Sequence, residues 1–425
     1  MTETKKGIEK SLPKDWRWVK LGEVCEKMSN GANAKQSDDK IGFPISRIET
    51  IWNETIDLGR VKYIEESDAT FVEKYSLWKD DILFSHINSD IHLGKTAIFK
   101  NQIPTLIHGI NLLLIRLNKD TQADFFNYQF RYKRRIGEFI SIAQKSVNQS
   151  SINQPKLKNL DFVLPPIFTQ QAIVSKIEEL FSELDKGIEN LRTAQQQLKT
   201  YRQAVLKWAY EGRLTNENVK DGELPKGWKW VTMNEVCNKI GDIDHKMPKH
   251  LDTGYPYVST KDFTDDLKIS FERAKYISEE DYLNLARKIR PERGDIIFPR
   301  YGTIGKNILV DFDKEFLVSY SCAVIKPNKD LVLSKYLYLY SLSPKITDEI
   351  RKYVVETTQA NIGIASIKSF VFPLPTNEDQ NKVVQEIESR LSVADKMEES
   401  ITQSLQQAVG LRQSILKKAF EGKLI

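Results

Sequence analysis

The chain contains the same order of segments twice, and this duplication limits its possible folds more than any other feature. Residues 12–28 read LPKDWRWVKLGEVCEKM and residues 224–240 read LPKGWKWVTMNEVCNKI, with 10 of 17 positions identical at a shift of 212. Residues 201–214 and 411–424 close the two copies, with 8 of 14 positions identical at a shift of 210. Such a unit is too long for a solenoid repeat and large enough to have its own core. The sequence therefore predicts two homologous units.

The first part of each unit has a mixed pattern. Runs rich in Ile, Val, Phe and Tyr, bounded by turn residues, predict strands at 43–51, 80–87, 105–117, 255–260, 294–301 and 316–327. Helical patterns follow at 124–143 and 334–354. A βαβ rhythm with a glycine fingerprint is missing, so the predicted fold class is α+β, with two tandem modules.

The second part of each unit is a long helix. Apolar residues recur at steps of three and four through 170–209 and 380–419, which predicts two rods of roughly 60 Å. Thr169 and Asn377 are candidate N-caps, and Gly212 and Gly422 suit the position after the last turn. Each apolar stripe packs either on an unrelated partner helix or on the other copy. We favour the second arrangement, an antiparallel coiled coil with pseudo-two-fold symmetry.

Charge and cysteine content limit the class of protein. The net charge of +5 excludes a histone-like polycation but not a local basic face. Residues 1–215 carry all of that excess, with 32 Lys and Arg against 27 Asp and Glu. Three distant cysteines without a CxxC pair argue against a structural zinc site and favour a reducing compartment. Because no signal peptide or transmembrane stretch is readable, we expect a cytoplasmic protein.

Motifs for catalysis are not found. Gly94-Lys95 resembles the end of a phosphate-binding loop, but Ser89 stands where the loop requires glycine, and Gly305-Lys306 also fails the pattern. The sequence has no glycine-rich methyltransferase loop with a catalytic NPPY or DPPY tetrapeptide, no HExxH and no readable Ser-His-Asp series. We therefore predict no catalytic residue, no metal site and no cofactor bound by this chain.

The residue types favour binding to nucleic acid instead. A basic cluster lies on the predicted helix 124–143 among aromatic residues and is suited to phosphate contacts: Arg131, Lys133, Arg134 and Arg135. The alternative is a solvated helix face. If the cluster contacts phosphates, Lys133→Ala should weaken binding to all sequences and lower its salt dependence.

Loops at equivalent places in both copies carry residue types that can read bases. In the first copy the candidates are Asn33, Lys35, Ser85, His86, Asn88, Lys95 and Gln149. In the second copy they are His245, Lys246, Lys249, Arg300, Tyr301, Thr303, Lys306, Gln359 and Asn361. Arginine suits guanine, while asparagine and glutamine suit adenine. Each residue singly is compatible with an ordinary polar loop position, so the hypothesis depends on their clustering.

The chain resembles the specificity subunits of type I restriction-modification systems over nearly its whole length. The segments LPKDWRWVKLGEV and LPKGWKWVTMNEV resemble the start of each target recognition domain in that family. GDIIFPRYGTIGKNILV resembles the family's strand, Arg-Tyr-Gly turn and Gly-Lys strand. TTQANIGIASIKSFVFPLPTNEDQNKVVQEIE resembles its passage into the conserved helix. The first copy departs, with HINSDIHLGK in place of RYGTIGK and no Thr-Thr-Gln.

The resemblance implies an architecture and a set of partners. It implies target recognition domains at 1–168 and 216–377, and conserved spacer helices at 169–215 and 378–425. It also implies two methylation subunits that use S-adenosylmethionine to methylate adenine N6, and in some complexes two restriction subunits that use ATP and Mg. The chain itself would bind double-stranded DNA without catalysing a reaction.

The divergence of the two copies has a consequence for the target. Identical modules around a two-fold axis would read a palindrome, whereas diverged modules should read two different blocks separated by a gap that the rods set. Two alternative functions stay open. A duplicated coiled-coil adaptor would bind proteins without reading DNA, and a self-contained DNA-modifying enzyme would bind S-adenosylmethionine itself.

Overall fold

The computed structural model describes residues 12–66, 68–147, 149–216, 218–220, 222–245, 247–353 and 361–425. The chain divides into two compact units. Unit 1 comprises Met1–Leu191 and Gln403–Ile425, and unit 2 comprises Arg192–Thr402. Each unit contains one α+β module, named module 1 or module 2, together with one half of each long helix. The predicted α+β fold class is confirmed.

The elements of unit 1 follow in chain order. The strands are β1 Arg17–Lys20, β2 Cys25–Asn30, β3 Phe43–Ile45, β4 Ile51–Trp52, β5 Thr55–Ile56, β6 Lys62–Ile64, β7 Ile82–Ser85, β8 Ile87–Asn88, β9 Thr96–Ile98, β10 Leu112–Leu117, β11 Gln144–Lys145, β12 Ser150–Ser151 and β13 Asp161–Leu164. The helices are α1 Leu21–Val24, α2 Ala69–Tyr75, α3 Ala123–Arg135, α4 Glu138–Ile142, α5 Gln154–Lys158 and α6 Ile167–Tyr210, whose second half belongs to unit 2.

The elements of unit 2 repeat this plan. The strands are β14 Lys229–Thr232, β15 Cys237–Gly241, β16 Tyr255–Val258, β17 Lys275–Ile277, β18 Ile296–Pro299, β19 Ile308–Leu309, β20 Leu317–Val318, β21 Cys322–Pro327 and β22 Val371–Leu374. The helices are α7 Met233–Val236, α8 Glu279–Ala286, α9 Ser334–Tyr340, α10 Pro344–Tyr353, α11 Ile364–Lys368 and α12 Asn377–Phe420, whose second half belongs to unit 1.

The sheet topology confirms the duplication. The central sheet has the strand order β2-β10-β7-β9 in module 1 and β15-β21-β18-β19 in module 2. In both modules the first strand pairs with the last, as β1 with β13 and β14 with β22. These pairs return the chain to its starting point before each long helix begins.

The central strands read as continuous apolar runs because both faces of the sheet are covered. Alternate residues of β18 enter different cores: Ile296 and Phe298 pack with the long helices, and Ile297 packs in the cluster on the other face. In module 1, Ile82 and Leu83 of β7 divide in the same way. This is the two-residue period expected of a strand.

The long helices pack against each other antiparallel within each unit, as the pseudo-two-fold arrangement of the two copies predicts. In unit 1, Ile173 and Ile177 of α6 share a core with Leu416 and Phe420 of α12. Farther along α6, Asp185 pairs with Arg412, so α12 runs in the opposite direction. In unit 2, Arg202 of α6 lies 2.5 Å from Asp395 and 2.8 Å from Glu398 of α12.

A buried glutamine attaches each long helix to its module. Gln380 is fully buried; its Oε1 accepts from the Leu333 N–H at 2.7 Å, and its Nε2 donates to the carbonyls of Leu331 and Pro375. Gln170 makes the equivalent bonds in unit 1, to the backbone of residues 122, 120 and 165. These hydrogen bonds fix the direction in which each helix leaves its module.

The helix ends agree with the sequence only in part. Gly212 and Gly422 have φ values of +76° and +68°, which confirms them at the left-handed position after the last turn. The predicted N-caps are placed too late: α6 already begins at Ile167, so Thr169 is helical, and the Thr376 hydroxyl accepts from Asp379 N–H in place of an Asn377 cap.

The helices of the modules are shorter than predicted. The pattern at 124–143 divides into α3 and α4 because Gly137 adopts a left-handed φ of +78° between them. The pattern at 334–354 divides into α9 and α10 because Pro344 begins a new helix, where its missing N–H is tolerated. In the part of the chain that the structure describes, no helix is long and apolar enough to cross a membrane.

Candidate DNA interface

Three strand ends of each central sheet meet at one edge, which we name the loop edge. In module 1, β2 and β7 end there and β10 begins, because Ser85 pairs with Leu112 and Asn30 pairs with Leu113. In module 2, β15 and β18 end and β21 begins at the same place, because Pro299 pairs with Cys322. Most of the candidate loop residues follow these strand ends.

The loop edge of module 1 brings together residues that are distant in sequence. Strands β8, β11 and β12 form a small sheet in which Asn88 pairs with Ser150. Gln149 therefore lies next to the segment that contains Ser85 and His86. Asn33, Lys35 and Gln149 are exposed. Whether they contact bases stays a prediction.

Other candidates at this edge are used within the protein. Ser85 is fully buried, and its hydroxyl accepts a hydrogen bond from the Asn88 amide at 3.1 Å. His86 is only 7% exposed, and its Nδ1 has no hydrogen-bond partner among the described residues. Burial lowers the pKa of His86 to about 4, against a smaller opposing effect of a hydrogen bond to the Asn111 backbone. His86 is therefore neutral near pH 7.

Lys95 lies beside this segment, since its carbonyl accepts from the Ser85 N–H at 2.8 Å. Its ammonium group is partly exposed. Burial and the nearby Arg134 both lower the pKa of Lys95 from its ordinary value. A cation held near another cation is a favourable place for an anionic group such as phosphate.

The basic cluster on α3 is held by intramolecular contacts. Arg131 and Arg135 both face the Glu54 carboxylate, at 3.1 Å and 3.8 Å. The Arg131 guanidinium also donates to the Glu54 carbonyl at 2.6 Å. A phosphate would have to compete with these contacts.

The other two members of the cluster, Lys133 and Arg134, also form intramolecular contacts. Lys133 is 12% exposed and lies 2.9 Å from the buried Glu138 carboxylate. Arg134 donates to the backbone carbonyls of Leu93, at 3.2 Å, and Ile91. The four cations therefore stabilise module 1, and their contact with DNA stays a prediction.

Arg300 is bonded to several segments of the module 2 loop edge. It follows β18, is only 6% exposed, and forms an ion pair with the buried Asp242 carboxylate. Its Nε donates to the Ile362 carbonyl at 2.9 Å, and its Nη1 donates to the Tyr320 carbonyl at 3.4 Å. The guanidinium therefore connects three other segments of the chain. It is not presented to solvent as a guanine-reading arginine would be.

Aromatic side chains surround this ion pair. The His245 ring stacks on Tyr320, with centroids 4.6 Å apart and planes inclined by 23°. Tyr301 meets Tyr320 edge-on at 6.5 Å, and its backbone pairs with Asn361. The structure thus brings together three of the candidates, His245, Tyr301 and Asn361.

The remaining candidates of module 2 are more dispersed. Lys249 is exposed, Thr303 is half-buried in the turn after Tyr301, and Lys306 pairs with Asp265 at 3.0 Å. Lys246 and Gln359 lie outside the described residues. Sequence reasoning missed Asp242 and Tyr320, because only the strand pairing shows that they lie beside Arg300.

The two loop edges are suited to recognition. They offer amide, imidazole, hydroxyl and aromatic groups, which are the groups that bind base edges. Among residues 12–353 and 361–425, apart from the single positions left undescribed, no cluster of three or more His, Cys, Asp and Glu side chains could hold a metal ion. Fold and site together define a two-module recognition protein built on a helical spacer.

Comparisons with known proteins give the family. The type I restriction modification DNA specificity domain matches residues 13–192 and 225–408. A Methanocaldococcus jannaschii protein assigned as the type I restriction enzyme MjaX specificity subunit is 31% identical over 97% of this chain and 94% of its own length. The Escherichia coli EcoBI specificity subunit is 27% identical over 97% and 87%. The chain belongs to the family of type I restriction-modification specificity subunits.

Solved structures share the fold. The HsdS subunit from Thermoanaerobacter tengcongensis has a TM-score of 0.63 at 19% identity and covers all of both chains. A chain from a type I restriction-modification complex has a TM-score of 0.69 at 20% identity, covering 97% of this chain and 100% of that one. The duplicated modules and long helices of this chain are therefore an arrangement found in solved structures.

Proposed function

We propose that this chain selects the DNA target of its complex and that each module reads one block of a bipartite, asymmetric sequence. The observation that carries this proposal is the pair of loop edges, which occupy equivalent places on one duplicated scaffold. Module 1 exposes Asn33, Lys35 and Gln149. Module 2 exposes His245, whose ring stacks on Tyr320, and Tyr301 meets the same Tyr320 ring edge-on. Because the scaffold is shared and the side chains differ, the two blocks should differ in sequence.

The long helices would set the distance between the blocks. Each helix has 44 residues, which corresponds to a rod of about 66 Å. The buried glutamines Gln170 and Gln380 hold each rod at a defined angle to its module. A stiff connection of this kind supports a gap of constant length.

Protein partners would dock on the long helices. Large apolar side chains are exposed there, which is unusual for a helix that faces only water. In unit 1 they are Phe168, Val409 and Leu411, and in unit 2 they are Trp208, Val393 and Met397. These side chains support the docking of methylation subunits, one for each module.

The chemistry would belong to these partners. We propose that methylation subunits using S-adenosylmethionine modify adenine N6 within the selected target. Restriction subunits that use ATP and Mg would cleave DNA in a complex that contains them. The complex would act in the cytoplasm, where the cellular DNA lies.

Adenine methylation mapping tests this function. The chain and its methylation subunit are expressed together in a host without other adenine methylation, and modified bases are located by sequencing. We expect one asymmetric motif of two blocks with a constant gap. The methylation subunit expressed alone is the control and should leave no motif.

The competing function is a coiled-coil adaptor that binds proteins without reading DNA. A gel shift of the assembled complex separates the two, using duplexes with and without the mapped motif. Preference for the motif supports target selection, whereas equal affinity for both duplexes favours the adaptor.

A further inference from the structure

The ion pair between Arg300 and Asp242 belongs to a set of contacts that connects four described segments of the module 2 loop edge. Asp242 follows β15, Arg300 follows β18, Tyr320 precedes β21, and Ile362 precedes α11. The Arg300 backbone adds two further bonds: its N–H donates to the Ser321 carbonyl at 2.8 Å, and its carbonyl accepts from the Ile362 N–H at 3.1 Å. Among the described residues, Arg300 therefore contacts the segments that contain Asp242, Tyr320 and Ile362.

The rings of His245, which is exposed, and Tyr301, which is half-buried, depend on these contacts. His245 lies three residues after Asp242, and its ring stacks on Tyr320, whose carbonyl accepts from Arg300. Tyr301 follows Arg300 directly, and the guanidinium lies 5.3 Å from its ring centroid. The rings of His245 and Tyr301 therefore sit on segments whose positions Arg300 fixes.

We propose that Arg300 is a positioning residue for the second DNA block: paired with Asp242, it holds His245 and Tyr301 in the arrangement that meets the bases. The proposal rests on the proposed function of module 2. It differs from the sequence-based expectation that Arg300 itself reads a guanine, because a 6% exposed guanidinium bonded to three segments has little freedom to bind a base.

Module 1 shows that this position can be built differently. His86 occupies the equivalent place, since its carbonyl accepts from the Ile152 N–H at 2.9 Å, as the Arg300 carbonyl accepts from Ile362. His86 is buried, and its Nδ1 has no hydrogen-bond partner among the described residues. Module 1 therefore has an uncharged imidazole where module 2 has the guanidinium of Arg300. Because Arg300 belongs to module 2, changes at this residue should leave the first block unaffected.

The same strand offers a matched control. Asp295 precedes β18 and pairs with Lys326 at 2.6 Å, with exposures of 8% and 18%. This pair lies at the end of β18 opposite the loop edge, about 16 Å from Arg300 for an extended strand. Its loss removes a buried ion pair from module 2 without touching the reading edge.

The experiment uses the full-length chain assembled with its methylation subunit. Four variants are compared with the parent chain by adenine methylation mapping: Arg300→Ala, Arg300→Lys, Asp242→Asn and the control Lys326→Ala. Thermal unfolding of each complex is measured in parallel. We expect Arg300→Ala and Asp242→Asn to reduce discrimination at several positions of the second block by about tenfold, with the first block unchanged.

Conservative replacement separates positioning from base reading. Lysine keeps the charge opposite Asp242 but cannot make the same set of carbonyl bonds, so Arg300→Lys should retain the parent motif with weaker discrimination. If the Arg300→Ala chain does not assemble with the methylation subunit, the Arg300→Lys variant still tests the proposal. Lys326→Ala should lower the unfolding temperature and leave both blocks intact.

Three results would overturn the proposal. One is a second block that Arg300→Ala leaves as selective as before. Another is a change confined to a single guanine position, which would make Arg300 a direct reader. The third is an equal loss of discrimination at the second block in Lys326→Ala, which would show that the effect of Arg300→Ala comes from lower stability alone. A parent complex without any two-block motif would instead refute the proposed function itself.

Discussion

Replacement of Gln380 by leucine tests how the long helix is attached to module 2. The side chain is fully buried, and its carboxamide bonds to the Leu333 N–H and to the carbonyls of Leu331 and Pro375. Leucine has a similar volume but leaves these backbone groups without their partner. A buried polar group that loses its hydrogen bond costs about 1–3 kcal/mol.

The expected loss for Gln380→Leu is about 3 kcal/mol in the free energy of unfolding, because three backbone groups share the penalty and part of it is relieved by solvent. For a unit of roughly 200 residues, this corresponds to a fall in melting temperature of about 6–12 °C. Guanidinium and thermal unfolding followed by circular dichroism measure both quantities.

Gln385 provides the matched control, since it lies on the exposed face of the same helix. Gln385→Leu makes the same chemical change and should alter stability by less than about 0.5 kcal/mol. If the two variants lose the same stability, or if Gln380→Leu loses less than about 1 kcal/mol, the buried hydrogen bonds do not attach the helix as argued.

Three further predictions concern the spacer, the basic cluster and pH. Four residues inserted near positions 195–197 lengthen α6 by about 6 Å and should widen the gap by one or two base pairs; methylation mapping with an unchanged gap would exclude the spacer role. Lys133→Ala should lower stability by about 3 kcal/mol, because it leaves the Glu138 carboxylate buried and unpaired. If the cluster contacts phosphates, gel shifts at several salt concentrations should also show a lower salt dependence of DNA binding in this variant. The pKa of His86 is about 4 in the folded chain, against an ordinary value of 6.5, so the unfolded chain binds a proton first as the pH falls. Unit 1 should therefore have its full stability above pH 6.5 and lose stability as the pH falls towards 4. Unfolding midpoints measured across this range should fall less in His86→Asn than in the parent chain.

The sequence predicted the features that depend on local pattern. The duplication follows from direct self-similarity, and the two long helices follow from apolar residues at steps of three and four. Their antiparallel packing follows from the approximate two-fold relation expected of two copies. The left-handed glycines Gly212 and Gly422 were predicted from their place after the last turn. Even here the boundaries moved, because Gly137 and Pro344 divide helices that apolar spacing alone shows as continuous.

The candidate interface was predictable only as a set of loops. Ser85, His86 and Gln149 were candidates because loops at equivalent places in both copies carry residue types that can read bases. The structure shows that the segments containing them are neighbours. The burial of Ser85 and His86 was not predictable, and neither was the partner of any charged residue. From the sequence alone, Arg300 is interpreted as a base contact, whereas the strand pairing places Asp242 beside it. Glu138 lies only five residues after Lys133, and the turn at Gly137 between the two helices brings its carboxylate beside the ammonium group.

The central claim is that each module reads one block independently, and an exchange of modules tests it most directly. Residues 1–168 are replaced by the equivalent segment of another family member, and adenine methylation is mapped in cells that contain the assembled complex. The account predicts a motif in which one block is new, while the other block is retained. A motif in which both blocks change would contradict it.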